Sequence, residues 1–255
     1  MSSAQGVEPS DAVERMPGHN VVAAFDFDGT LTRGGSVWKF LTALCGRDAV
    51  LSAGIKLLPQ LVRAALFGGS AADTAKEALF VRTLAGRPAT DVAQRAAAFG
   101  VAHYRRRGRT KVRARLDWHR RQGHRVVVVS ASPEYYVRAA AAEIGVDDVV
   151  ATRLEVDRQG NLTGRFHGPN CRGPEKLARL EQWMESSSDT AHDGVGAPNG
   201  AAAPDEPHPY LWAYGNSAGD LEMLQAADIG VDAGRLGRLG KLRQFRRLGD
   251  VLTAW

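Results

Sequence analysis

Asp26 and Asp28 stand one residue apart in Val-Val-Ala-Ala-Phe-Asp-Phe-Asp-Gly-Thr-Leu-Thr, residues 21 to 32, directly after a run of small and apolar side chains. Alternate residues of an extended chain share a face, so both carboxylates can meet one ligand. Adjacent carboxylates repel unless a cation or a phosphoryl group occupies them. Gly29 permits the sharp turn that a Cβ would hinder, and Thr30 follows it. A plain capped turn from strand to helix draws on the same residue types.

Three later stretches carry chemistry of the same kind. Ser130 closes four successive valines, Val126 to Val129, and is followed by Ala-Ser-Pro. A hydroxyl there, with the backbone N–H groups of a turn opening the next helix, makes an anion site, although a simple helix cap by Ser130 or Ser132 uses the same pattern. Lys176 falls in the first turn of a helix, where the helix dipole disfavours a cation, which points somewhat to a function, although a lysine taken alone is more often a solvated surface residue. Asn216 and Asp220 follow a strand and a glycine turn. Four residues apart, they can face one cation or its waters, and an N-capped helix is the alternative.

These residues need a scaffold of parallel strands with helices between them. Val21 to Phe25 and Arg125 to Ser130 read as buried strands, and Tyr210 to Tyr214 and Ile229 to Val231 as further ones. Val149 to Val156 and Asn161 to Phe166 read as two strands around the turn Asp157 to Gly160. Helices are expected over Val112 to Gln122, Pro133 to Ile144, Glu175 to Glu185 and Gly219 to Ala227. Residues 36 to 108 are helical throughout and divide the strand-forming part, with a break at Gly86-Arg87-Pro88. Within them Ala49 to Gly68 is the most apolar segment, with Ser52, Lys56, Gln60 and Arg63 as one narrow polar stripe and Pro59 expected to kink or split it. Its apolar arc is expected to pack on the core; lying in a membrane interface is the second reading. The fold class is therefore α/β: a Rossmann-like parallel sheet flanked by helices, with a small helical cap inserted after the first strand. The domains read as a disordered leader 1–19, a core of 20–35 and 109–255 with a flexible insertion at 186–208, and a cap of 36–108. The tail from Gly234 is basic and weakly helical.

Across 255 residues the apolar share is 44% and the charged share 24%, ordinary for a globular chain, and the net charge of +5 permits nucleic-acid or anionic-membrane contact while an anionic small substrate explains it as well. The basic run His103 to Arg109 reads as a solvated face or a source of a cation for the substrate's phosphate. No zinc-finger, basic-zipper or aromatic RNA-binding signature accompanies it, so no nucleic-acid partner is expected. Two cysteines make no disulfide framework or zinc pattern, and the polar start is no secretory signal. A cytoplasmic setting is expected, peripheral to a membrane if 49–68 lies in the interface. Oligomeric state has no sequence signal.

Together and in this order, the four stretches resemble the motifs of the haloacid dehalogenase-like hydrolase superfamily over residues 20 to 232. The position of the cap is similar to subclass IB, which contains the phosphoserine phosphatases. That resemblance implies Asp26 as nucleophile forming an aspartyl-phosphate, and Asp28 as general acid and base. It implies Ser130 and Lys176 as phosphate ligands, Thr30 as a support of the turn, and cap arginines or lysines closing over the substrate. It also implies Mg²⁺ held by the Asp26 carboxylate, the Asp28 backbone carbonyl and the fourth motif. There the chain departs from the family's Gly-Asp, carrying Gly215-Asn216 instead. Weaker metal binding is expected, with Asp220 taking more of the load.

The phosphoserine phosphatases usually carry an acid shortly after the first motif, whereas this chain has none between Asp28 and Asp48. Cys171 to Lys176 and the apolar cap segment look similar to the phosphatidylglycerophosphatase C branch. The expected activity is hydrolysis of a phosphomonoester, small or lipid. A regulator of weak turnover and a phosphotransferase using the same aspartate are the alternatives.

Overall fold

The computed structural model describes residues 20–189, 209–234 and 244–252. The leader 1–19, residues 190–208 of the expected insertion and most of the basic tail lie outside the described residues.

The first strand, β1 (Val21–Phe25), is the centre of the sheet. It pairs in parallel with β2 (Arg125–Pro133) on one side and β6 (Tyr210–Gly215) on the other, so that Ala23 lies opposite Val126 and Trp212. With β3 (Asp148–Thr152), β7 (Ile229–Asp232) and β8 (Arg246–Arg247), the six strands run in the order β3-β2-β1-β6-β7-β8, all parallel. Val22, Ala24, Val127, Val129, Leu211 and Ala213 face Leu180, Met184, Met223 and Leu224 of the helices α8 (Pro174–Asp189) and α9 (Leu221–Ala226). Ala23, Phe25, Val126, Val128, Trp212 and Tyr214 face the larger core on the other side. A strand covered on both faces needs apolar residues at every position, which is why β1 and β2 read as unbroken runs. The chain starts at β1, moves outward to β3 and returns on the far side as β6. The crevice beyond the carboxyl end of β1 is thus the point where strand order reverses, the place where open α/β sheets bind ligands.

A helical insertion follows β1: α1 (Val37–Cys45), α2 (Arg47–Lys56), α3 (Leu58–Phe67), α4 (Gly69–Leu84) and α5 (Ala89–Arg107). The chain then returns through α6 (Thr110–Arg121) to β2. Entry and exit are tied together, Arg33 N–H donating to Arg107 O at 2.8 Å and Arg109 N–H to Leu31 O at 2.9 Å. Pro59 acts as expected. α2 and α3 meet at a 73° bend, with Leu57 between them and the proline in the first turn of α3, where its missing N–H costs nothing.

Four expectations change. Residues 149–156 are not one strand: the chain divides at Arg153, and Leu154–Val156 (β4) pairs antiparallel with Leu162–Phe166 (β5) in a separate two-stranded sheet. No Gly or Pro marks that division. It arises because the insertion captures the hairpin, with Gly86 N–H donating to Leu162 O and Leu162 N–H to Arg87 O, each at 2.8 Å. β2 runs on to Pro133, beyond Ser130, because Thr152 Oγ1 donates to Ala131 O at 2.7 Å and holds that loop to β3. The helix α7 (Glu134–Ala142) starts only afterwards. α8 continues past Glu185 to Asp189, so Ser186 to Asp189 are helical and not the start of an insertion. Finally, the apolar arc of 49–68 is largely not on the core. α2 buries only Val50 and Ala53, α3 buries nothing, and between them Leu57 points inward.

Candidate active site

Asp26 is the first residue beyond β1. Its N–H still donates to Tyr214 O at 2.9 Å, so the ladder with β6 holds its backbone at the mouth of the crevice. Lys176, in the first turn of α8, reaches it from the opposite face. Lys176 Nζ lies 2.8 Å from Asp26 Oδ1 and also pairs with Asp220 Oδ1, and all three side chains are buried. Burial is the largest influence on Asp26 and, with the nearby Asp220 charge, lifts its carboxyl to about 7 against the opposing pull of Lys176. Burial opposes the Lys176 charge too, but the two carboxylates outweigh it and hold the ammonium well above its usual range. Asp220 is held low: burial works against its charge, while Lys176, the Asn216 backbone and Ser217 prevail. Two carboxylates and one ammonium in a dry site leave it short of positive charge.

Asn216 shows where a further cation fits. One terminal atom of its side-chain amide lies 2.9 Å from the Asp28 carbonyl oxygen and 3.1 Å from both Thr30 Oγ1 and Asp26 Oδ2. With nitrogen in that place the amide's two N–H groups have these three acceptors within reach. With oxygen there, it converges with a carbonyl and a carboxylate, an arrangement of acceptors that a cation reconciles. Oxygens at right angles around an ion with bonds of about 2.1 Å lie about 3 Å apart, and one carboxylate plus neutral oxygens is the donor set Mg²⁺ takes with water and phosphate. The residues therefore fit the metal the family implies. Gly29 makes this closeness possible: its φ is +88°, and a Cβ there would fall 2.2 Å from Asn216 Nδ2.

Asp220, expected to take more of the metal load, is engaged by donors of the protein itself. Its Oδ1 is on Lys176, and its Oδ2 accepts Asn216 N–H at 3.1 Å, Ser217 N–H at 3.0 Å and Ser217 Oγ at 2.9 Å. Asp220 thus serves as a helix cap and as the partner of Lys176. Ser130 lies within β2, two residues beyond Val128, the register partner of Phe25, and its hydroxyl accepts Ser132 N–H at 3.1 Å. The residues after it continue β2 to Pro133, and the helix begins directly afterwards at Glu134.

Side chains that the sequence did not single out complete the site. Asp28 Oδ2 accepts from Ser36 Oγ at 2.7 Å and Ser132 Oγ at 2.5 Å, and Tyr136 OH lies 2.7 Å from Ser36 Oγ. Lys76 of α4 crosses from the insertion, its Nζ within 2.5 Å of Ala131 O and 2.8 Å of Asn170 Oδ1. Burial lowers Lys76 to about 8, opposed by Asp73 and Asp28. Arg109 donates to Gly29 O at 2.6 Å and Thr30 O at 3.2 Å, bracing the turn from below. Within the basic run, Arg109 thus holds backbone, Arg105 pairs with Glu143, and Arg107 reaches Arg33 O. No sequence pattern distinguishes such braces from solvated cations.

A parallel sheet whose first strand delivers Asp26 to a buried lysine, with a helical insertion after that strand, is the architecture of a hydrolase of the haloacid dehalogenase kind. The chain belongs to the haloacid dehalogenase-like hydrolase family, whose profile matches residues 23–225. It is similar to the CicA protein of Caulobacter vibrioides, 30% identical over 226 residues that cover 88% of this chain and 91% of CicA. It is also 31% identical over 211 residues to phosphoserine phosphatase SerB2 of Mycobacterium tuberculosis, covering 81% of this chain and 42% of SerB2. Among solved structures, a Bordetella pertussis Tohama I protein of unknown function superposes with a TM-score of 0.69 at 20% identity, covering 90% of this chain and 98% of that one. A phosphoserine phosphatase in its apo form superposes at 0.58 and 17% identity, covering 92% and 98%. Likeness at this identity speaks to the fold.

Proposed function

We propose that this protein is a Mg²⁺-dependent phosphomonoester hydrolase of the phosphoserine phosphatase-like subclass IB, acting through an aspartyl-phosphate on Asp26. The observation that carries the reading is Asp26 itself: a buried carboxylate at the switch point, one oxygen on Lys176 and the other facing Asn216 and the Asp28 carbonyl. Asp26 attacks phosphorus, and the bond to the ester oxygen breaks. Asp28 gives its proton to the departing alkoxide, then takes one from the water that attacks the aspartyl-phosphate, releasing phosphate and Asp26. Lys176 and Ser130 face the non-bridging oxygens, where the charge of a loose transition state is spread. Mg²⁺, held by Asp26, the Asp28 carbonyl and Asn216, supplies charge neutralisation for the phosphoryl group. Asp220 keeps Lys176 placed and protonated. The test is phosphate release with and without Mg²⁺ from phosphoserine, histidinol phosphate, sugar phosphates, lysophosphatidate and phosphatidylglycerophosphate. Mg²⁺-dependent release from any of them supports the reading. Ligand binding with no release from any of them favours the regulator, and transfer to an added alcohol favours the phosphotransferase.

Asn216 sets how tightly the metal is held. Asn216→Asp returns a full charge to the three-oxygen corner, so the Mg²⁺ concentration for half-maximal activation is expected to fall by about 10-fold or more, the order of one additional charged contact. Without metal the same variant places three acceptors together, and its melting temperature should drop in EDTA and recover with Mg²⁺. An unchanged Mg²⁺ response would remove Asn216 from the metal site.

The exposed faces of α2 and α3 favour a lipid surface as partner. Among the described residues no single helix is long and apolar enough to cross a membrane. Leu51 and Ile55 on α2 and Leu58, Val62 and Leu66 on α3 are nevertheless exposed at helical spacing, with Ile55 at 72% exposure, Leu66 at 73% and the adjoining Phe67 at 75%. Lys56 and Arg63 flank them, and no acid occurs between Asp48 and Asp73. An apolar stripe edged only by cations matches the interface of an anionic bilayer. Co-flotation with vesicles of phosphatidylglycerol and phosphatidylcholine is expected, weaker with phosphatidylcholine alone. Leu66→Ser with Phe67→Ser should weaken it at least about 10-fold, given the apolar area removed. Equal behaviour of the variant and wild type would discard this partner, and self-association abolished by the same change would assign the stripe to a second copy.

A further inference from the structure

Asp28 is held by a set of buried hydroxyls. Ser36 occupies the cap position of α1, where a serine ordinarily turns its oxygen to the helix's own free amides. It gives α1 no side-chain cap and instead donates to Asp28 Oδ2 at 2.7 Å. Ser132, just ahead of α7, likewise sends its hydroxyl to Asp28 Oδ2, at 2.5 Å. Tyr136, on α7, completes the set with its phenol 2.7 Å from Ser36 Oγ. Ser36, Ser132 and Tyr136 are all buried, so each hydroxyl must find its partner within the protein.

Counting protons gives the set a direction. Each hydroxyl carries one proton. With the Ser36 and Ser132 protons on Asp28 Oδ2, the Ser36 oxygen is left to accept from Tyr136, and every member is satisfied. A proton on Oδ2 would take the place of a serine proton there and turn that hydroxyl to a longer contact, such as the 3.3 Å between Ser36 Oγ and Ser132 Oγ, whereas a proton on Oδ1 leaves both short bonds in place. Asp28 Oδ1 is itself buried and has no hydrogen-bond partner among the described residues. It is the one oxygen of the pair available to a ligand.

We propose that Ser36, Ser132 and Tyr136 are positioning residues that hold the Asp28 carboxyl so that Oδ1 alone carries the proton and delivers it to the leaving oxygen of the substrate. The proposal rests on the phosphatase reading above and extends it to a substrate class. Rigid placement of a proton donor matters in proportion to the basicity of the departing oxygen, so the site is built for phosphate esters of unactivated alcohols. An ester with an acidic leaving group departs without that proton and gains little from the cradle. In the step itself the Asp26–phosphorus bond forms, the phosphorus–ester oxygen bond breaks, and the Oδ1 proton moves to that oxygen, leaving Asp28 ionised to accept a proton from the hydrolytic water.

The experiment compares kcat/KM for phenyl phosphate and p-nitrophenyl phosphate, esters of similar shape with leaving groups of very different basicity. Wild type, Ser36→Ala, Ser132→Ala and Tyr136→Phe are measured with Mg²⁺. The ratio of the two rates on one preparation does not depend on how much of it is folded, and Tyr136→Phe keeps the ring and its packing. Either serine variant is expected to lose on the order of 10-fold more on phenyl phosphate than on p-nitrophenyl phosphate, and Tyr136→Phe to shift the ratio the same way by less. Equal losses on both esters, or an unchanged phenyl phosphate rate, would overturn the positioning role while leaving the phosphatase reading intact. No turnover of either ester by wild type, nor of any compound in the wider panel, would end the phosphatase reading and this proposal with it.

Discussion

Asp26→Asn is expected to lower turnover by about four orders of magnitude or more, the scale on which loss of a nucleophile is felt when it acts as part of a unit. The fold should survive it. Burial and the Asp220 charge raise Asp26 from 3.8 to about 7, so its ionised form is a burden on the metal-free protein. A carboxyl with a folded pKa above its unfolded one binds more protons folded than unfolded between those two values, and stability therefore falls as pH rises through that window. Metal-free wild type should accordingly lose melting temperature from about pH 4 to about pH 7, and Mg²⁺ at pH 8 should restore it. The asparagine, uncharged at every pH, removes this slope, while Lys176 retains Asp220 as its partner. Inactivity together with an equal or higher melting temperature in EDTA is the expected pairing. A variant that is inactive because it unfolds would leave the chemistry of Asp26 unsupported, and one that keeps a tenth of the activity would exclude it as nucleophile.

Lys176→Met should have the largest effect on stability of any single change in the site. Lys176 is 1% exposed and neutralises two buried carboxylates at once. Methionine fills much the same volume and supplies no charge, so Asp26 and Asp220 remain side by side without a counter-ion. Removing one partner of a buried pair costs about 3–5 kcal/mol. The cost should be greatest in EDTA at pH 8 and shrink on acidification, because protonating either carboxyl relieves the repulsion. Urea unfolding at pH 5 and pH 8 measures it. A loss of stability independent of pH would mean that packing, and not charge, explains the residue. Activity should vanish as well, but the pH dependence separates the electrostatic account from a merely misfolded enzyme.

The strands and the aspartates were legible in the sequence for one reason: a central parallel strand needs apolar residues on both faces, and the polar residues that interrupt it mark its carboxyl end. Val21 to Thr32 states both. Lys176 and Asp220 stood out for their places at helix starts, but nothing in the sequence joined them. Lys176 meets Asp26 across 150 positions and Asp220 across 44. Ser36 and Ser132 were hidden because a serine ahead of a helix already has an ordinary use. The split at Arg153 was hidden because the insertion, not a local turn residue, pulls the hairpin away. The exposure of α3 was hidden for a related reason. Leu58, Val62 and Leu66 have the spacing of a core-facing stripe, and periodicity records that a helix has an apolar face without recording what that face meets.

The measurement closest to the central claim is the chemical fate of Asp26 during turnover. Wild type would be mixed with a phosphomonoester it hydrolyses in the presence of Mg²⁺, quenched in acid and treated with borohydride, which reduces an acyl phosphate on aspartate to homoserine. Peptide mass analysis should then find homoserine at position 26 and at no other aspartate, with none formed when substrate is omitted. Phosphate released with Asp26 unmodified under every quench time, or the label on Asp28 or Asp220 instead, would contradict the assignment of this site.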